Sequence, residues 1–137
     1  MKRYIKTWKN RVEAGSSSDW THFPNRMSLK INEDSTRTAF IAASMEFNGT
    51  KIKNERKRYN GSLYYKILVN GSVVSEYHVI DPIHAIKNTE VNLHGVSEIQ
   101  AGENTIEVQY KLAKNGSWEI LRNLGQRNLS VLTVPSN

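Results

Sequence analysis

An all-β sandwich or barrel is the fold class this sequence predicts, and three observations carry the prediction. Apolar residues recur with period two from Met27 onward, Asn-Gly dipeptides punctuate the alternating runs, and helical periodicity is almost absent. The 137 residues suffice for one domain that hides roughly two-thirds of the surface its unfolded chain exposes. We therefore read residues 1–137 as a single β-sandwich domain. Residues 1–25, with the linker-like "GSSSD" at 15–19, leave a strand, an arm and a linker open.

The first strand pattern is "RMSLKIN", with Met27, Leu29 and Ile31 on one side and Ser28 and Lys30 opposite. "TAFIAASMEF" sets Ala39, Ile41, Ala43, Met45 and Phe47 on one face. "SLYYKILV" and "VVSEYHVI" flank Asn70-Gly71, and both are rich in β-branched and aromatic residues. "NTIEVQYKL" turns Ile106, Val108, Tyr110 and Leu112 inward. "NLSVLTV" places Leu129, Val131 and Thr133 on one face and Ser130, Leu132 and Val134 on the other, so both sides are partly apolar, as in a strand buried on two faces.

Asn70-Gly71-Ser72 is both a glycosylation sequon and a hairpin turn. Strands on both sides favour the turn, because a type I′ loop needs positive φ at both central residues and Asn and Gly tolerate it best. Asn48-Gly49, Asn60-Gly61 and Asn115-Gly116 repeat the dipeptide, and the turn reading extends to them. Asn128-Leu129-Ser130 matches the sequon inside a strand pattern. The best helix is "SWEILRNLG", with Ser117 as N-cap, Leu121 and Leu124 three apart, and Gly125 as its stop. "PIHAIKN" at 82–88 reads as a helical turn or an extended crossing.

Composition narrows the chemistry. With no cysteine, a disulfide framework and a Cys-based zinc site are both excluded. No apolar run approaches the ~20 residues that cross a bilayer, so membrane insertion by a helix is not expected. The basic start "MKRYIKTWKN" lacks an apolar segment behind it and does not read as a secretory signal. Synthesis in a cytoplasm is the expectation, with any later extracellular location reached by another route. A net charge of +6 admits nucleic acid, anionic glycan or acidic protein as partners.

Catalytic signatures are missing from the sequence. His22, His78, His84 and His94 lack metal-ligand spacing, no GxSxG elbow is present, and Asp19, Asp34 and Asp81 sit in turn-like contexts. No cofactor, metal or enzymatic activity is therefore expected. The feature most suggestive of binding is "KIKNERKRYNG". There Lys51, Lys53, Arg56, Lys57, Arg58 and Tyr59 set cations beside an aromatic ring, a combination that suits phosphate and bases or an acidic sugar. A solvated loop between strands is the plainer reading. Trp20 and Trp118 are likewise either core residues or glycan platforms.

The C-terminal half adds a resemblance. Asn70 and Gly71 in a hairpin, then Ala101, Gly102 and Thr105 leading into Val108 and Tyr110, then Arg127, Leu129 and Val131 in a closing strand, together resemble the TNF/C1q-like jelly-roll domains of phage and viral structural proteins and bacterial surface proteins. The likeness spans residues 62–134. Ile106 and Asn104 depart from the pattern's usual Val and His, and no collagen-like repeat precedes the domain. The resemblance implies a two-sheet antiparallel jelly roll assembling as a homotrimer, whose last strand would serve the core with one face and a neighbouring subunit with the other.

Three functions follow as expectations. The first is a non-enzymatic structural or receptor-binding domain of a virion, phage tail or similar particle, trimeric and binding a cell-surface glycan or protein receptor through surface loops. A monomeric carbohydrate-binding module stacking sugars on Trp20, Trp118 or the Tyr64-Tyr65 pair is the alternative. A nucleic-acid-binding capsid protein ranks below both.

Overall fold

A computed structural model of the chain describes residues 1–10, 12–15, 17–23, 26–52, 60–82, 89–112 and 120–136. These form ten strands: β1 (Lys2–Trp8), β2 (Val12–Gly15), β3 (Ser17–His22), β4 (Ser28–Glu33), β5 (Arg37–Ile52), β6 (Asn60–Val69), β7 (Ser72–Pro82), β8 (Thr89–Ile99), β9 (Gly102–Leu112) and β10 (Ile120–Pro135). One sheet runs β1-β10-β5-β8, with β2 continuing the β1 edge along β10. The other runs β3-β9-β6-β7, with β4 continuing the β3 edge along β9. All pairings are antiparallel.

The pairings are nested. β6 pairs β7, β5 pairs β8, β3 and β4 pair β9, and β1 and β2 pair β10. The chain is thus one long hairpin rolled into two sheets, which is the jelly-roll arrangement, and the β5–β10 and β6–β9 pairings close the roll.

Asn70-Gly71 is the tip of that hairpin. Their φ values of 50° and 83° put both residues in the left-handed region that a type I′ turn requires. The tip is also clamped: Asn70 Nδ2 donates to Asn104 Oδ1 at 2.9 Å, and Asn70 Oδ1 accepts from the Thr105 amide at 2.8 Å. Buried Asn104 in turn donates to the Gln100 and Gly102 carbonyls, holding the turn where Gly102 has φ 99°. Asn70's side-chain amide is committed to the fold, which accounts for the turn reading over the sequon.

The other Asn-Gly pairs behave differently. Asn48-Gly49 lies within β5: Gly49 pairs with Asn123 and Phe47 with Leu124, leaving Asn48 as an extra residue in a bulge. Asn60-Gly61 opens β6 opposite Pro82 and Asp81. Neither is a turn, because strand partners on a neighbouring chain segment take up their backbone. Asn115-Gly116 falls outside the described residues, as do Ser117–Glu119 of the expected helix. The rest of that expected helix is strand: Leu121–Leu124 pair with β2 on one side and β5 on the other. Two ladders outweigh a short i, i+3 leucine spacing whose intrinsic helix preference is weak.

Of residues 1–25, left open as strand, arm or linker, the described parts form β1, β2 and β3 and enter both sheets. β2 belongs to one sheet and β3 to the other, so the linker-like stretch marks where the chain crosses between them.

Between the sheets lie Phe23, Met27, Ile31, Ile41, Met45, Tyr65, Ile67, Ile106, Val108, Tyr110, Leu129 and Val131, with Ala39 and Ala43 among them. Their alternate positions on β4, β5, β9 and β10 follow the period-two reading. Each large side chain buried contributes about 1.5–3 kcal/mol. Phe23 stacks on Tyr110 at 4.7 Å between ring centroids.

Candidate functional site

The basic run nominated by the sequence can be followed only at its start. Lys51 lies in β5, its backbone opposite Leu121. Lys53, Arg56, Lys57, Arg58 and Tyr59 lie outside the described residues, as do Trp118 and His84.

Two outward faces define what the sandwich offers a partner. On the β1-β10-β5-β8 sheet, strand register lines up Arg3, Leu132, Phe40 and Val96 in one row and Ile5, Ser130, Ala42 and His94 in the next. Phe40 is 46% exposed and Val96 and Ile5 are each 59% exposed, while Leu132 and Val134 are half-buried. Apolar side chains therefore recur on the outer face of all four strands, interrupted by Arg3, Ser130 and His94. The inner face of β10 meanwhile packs in the core, so both faces of the closing strand carry apolar side chains as its sequence suggested.

The β3-β9-β6-β7 sheet presents a different surface. Trp20 meets Tyr64 edge to face at 6.3 Å; Lys66 Nζ lies 4.2 Å above the Trp20 ring and Lys111 Nζ 5.3 Å above that of Tyr64. Cations over aromatic faces are drawn by the ring quadrupole and hold the rings in place. Around them are His22, 3.6 Å from Glu107, and the row Gln109, Lys66 and Glu76. Of the aromatic pair Tyr64-Tyr65, only Tyr64 is on this face. Tyr65 is fully buried against Phe23, because neighbouring residues of a strand point to opposite sides. Lys66 and Lys111 were missed from the sequence. Their signal was their parity, since both share the outward phase of Tyr64.

Among the described residues no three His, Asp or Glu side chains converge as metal ligands. The buried carboxylate Glu33 acts as a structural tie between sheets. It accepts from Thr133 Oγ1 at 2.8 Å and from Tyr4 Oη at 3.0 Å, and its second oxygen faces Lys2 and Arg37, each at 3.4 Å. Burial alone would raise its pKa, but the bonds from Thr133, Tyr4 and Lys2 outweigh burial and hold it below the usual carboxylate value. The Tyr4 hydroxyl is pushed up by burial and by its bond to the carboxylate.

No protein-family model matches the chain, and no curated protein does. Solved structures do. A chain in a structure of infectious bursal disease virus, Gt strain, superposes with a TM-score of 0.61 at 12% identity, over 96% of this chain and 33% of its own. A family 35 carbohydrate-binding module from an environmental isolate gives 0.38 at 15% identity, over 90% of this chain and 83% of its own. The VP2 subviral particle of infectious bursal disease virus gives 0.46 at 11% identity, over 99% and 38%. This chain spans about a third of the viral chains' length. The likeness to the Gt-strain virus chain, at 12% identity and a TM-score of 0.61, shows a shared fold.

Proposed function

We propose that the chain is a non-enzymatic jelly-roll domain of a virion, phage tail or similar particle, and that it associates with copies of itself as a homotrimer of the TNF/C1q kind. The observation that carries this reading is the set of apolar side chains Ile5, Leu132, Phe40 and Val96 on the outer face of the β1-β10-β5-β8 sheet. Apolar side chains grouped on an outer face suit an interaction site, and a sheet face can self-associate around a symmetry axis. A fold shared with a chain of a virus structure supports the assignment. In this reading the rigid sandwich presents surface loops to a cell-surface receptor, and the trimer multiplies weak contacts.

Light scattering behind size exclusion tests it. Wild type should have a stable mass near three times 15.7 kDa, and the double variant Phe40→Ser, Val96→Ser should be a folded monomer. A concentration-independent wild-type monomer would overturn the proposal.

The Trp20–Tyr64 patch favours a second reading, a monomeric carbohydrate-binding module. It requires tryptophan fluorescence that responds to a polysaccharide in wild type and not in Trp20→Ala. A nucleic-acid-binding capsid role would instead show binding that falls steeply with salt.

A further inference from the structure

The two flanks of the sandwich differ in the sign of their charge. On one flank β1 lies beside β4, where Tyr4 Oη donates to the Asn32 carbonyl at 3.1 Å and Lys6 Nζ to the Ser28 carbonyl at 3.2 Å. On the other, β8 runs so close to β7 that a Cβ added to Gly95 would meet Val74 Cγ2 at 3.1 Å. β1 and β8 are the two edges of one sheet, and β7 is an edge of the other.

The β1 flank gathers Lys2, Arg3, Lys6, Lys9 and Lys30, all exposed. Lys2 is paired with Glu33 and Asp34 and Lys30 with Glu103, whereas Arg3, Lys6 and Lys9 have no carboxylate within ion-pair distance among the described residues. The β7 flank is the converse. Its two eleven-residue strands contain Glu76, Asp81, Glu90 and Glu98 and no Lys or Arg, in a chain with 19 of those cations against 13 acids. Glu76 and Glu98 are exposed, and among the described residues no cation pairs with either. Val73 and Tyr77 add exposed apolar surface to β7. Charge on an open edge keeps stray strands from pairing with it. That need accounts for charged edges but not for the separation of the signs.

Strand register also sets the two flanks level with each other. Arg3 ends one outer row at β1 and Val96 ends it at β8, and Glu98 is two residues further along β8, ~7 Å away and within reach of a long side chain. Lys9 and Glu90 each stand two residues beyond the row Thr7, Asn128, Ser44 and Asn92, in the same direction. Rotating a copy about an axis parallel to the strands keeps these heights.

We propose that copies of this chain meet head to tail, the basic β1 flank of one against the acidic β7-β8 flank of the next. This contact rests on the self-association proposed above and names the surfaces through which it occurs. A heterologous contact closes into a ring when its rotation permits, and complementary charge fixes the register of the copies.

Sedimentation of the intact chain over a range of protein and salt concentrations provides the test. Wild type should be trimeric at low salt, and its dissociation concentration should rise at least about tenfold between roughly 0.05 M and 0.5 M salt, because salt screens exposed charges. Arg3→Glu with Lys9→Glu should give a folded monomer, and so should Glu76→Lys with Glu98→Lys. All four substitutions together should restore the trimer, since the flanks then differ in sign again. Circular dichroism checks that each variant folds, and the wild-type salt series needs no variant. A trimer indifferent to salt, or one that survives reversal of a single flank, would overturn the head-to-tail contact and leave the trimer standing. A folded fourfold variant that stays monomeric would do the same. Wild type that is monomeric at every salt concentration would overturn self-association itself, and this contact with it.

Discussion

Thr133 and Arg127 stand six residues apart on the inner row of β10, about 20 Å of strand at ~3.3 Å per residue, and buried charge is treated in opposite ways at the two ends. At the Thr133 end, buried Glu33 has two hydroxyl donors and two cations around it, and the β1, β4, β5 and β10 strands all contribute. Arg127 has two carbonyl acceptors for one nitrogen and nothing for the other among the described residues. Each charge sits at a position that strand periodicity assigns to the interior. The charge-paired end joins the two sheets, whereas the end without a paired carboxylate among the described residues borders a cavity. Glu33 Oε2 and Arg127 Nη2 are both buried without a hydrogen bond, so what distinguishes the two charges is the pair of cations within ion-pair distance of Glu33.

Removing each charge should sharpen that contrast, beginning with the largest effect. Glu33→Ala leaves Arg37 mostly buried and facing no carboxylate, and should cost about 3–5 kcal/mol in urea unfolding. A cost below about 1 kcal/mol would mean the network does not hold the sheets together. Thr133→Val removes the hydroxyl that both donates to Glu33 and accepts from Arg37 Nε at 3.0 Å, with an expected loss of about 1–3 kcal/mol by the same measurement.

Acidification should reveal the same network more gently. The folded pKa of Glu33 lies below its unfolded value, so its contribution is fully present above the unfolded pKa of about 4.3 and is lost as pH falls through the folded value. Thermal melting of wild type should therefore fall more steeply below that pH than melting of Glu33→Gln, and parallel curves would place the acid sensitivity elsewhere. The smallest effect is expected at the other end. Arg127→Met trades two carbonyl contacts for relief of a buried charge without a carboxylate partner among the described residues, and the stability should change by about 1 kcal/mol or less in either direction. A loss of 3 kcal/mol or more would erase the contrast between the ends.

Much of the fold was readable because its determinants are local. Met27, Ile31, Ile41, Met45, Ile106, Val108, Leu129 and Val131 are buried where alternation put them. The candidate surfaces were less legible. Trp20 and Tyr64 stood out by residue type, but their juxtaposition depends on β3 and β6 both flanking β9. Arg127 was noted only as part of a strand motif. Its inward parity was visible, yet a cation on that phase becomes a buried one only once β1 and Asn10 close over it. The apolar outer positions were half visible, as the second face of β10. Phe40 and Val96 joined them through strand register.

By itself the sequence determined the strand content, the inner row of most strands and the Asn70-Gly71 turn, since side-chain alternation and positive φ are properties of a few consecutive residues. Only the tertiary structure decided that Asn48-Gly49 is a bulge while Asn70-Gly71 is a turn, that residues 120–125 are strand, and that Glu33 faces two cations while Arg127 faces no carboxylate among the described residues. Those outcomes depend on which distant segment supplies the hydrogen-bond partner, and no local pattern encodes it.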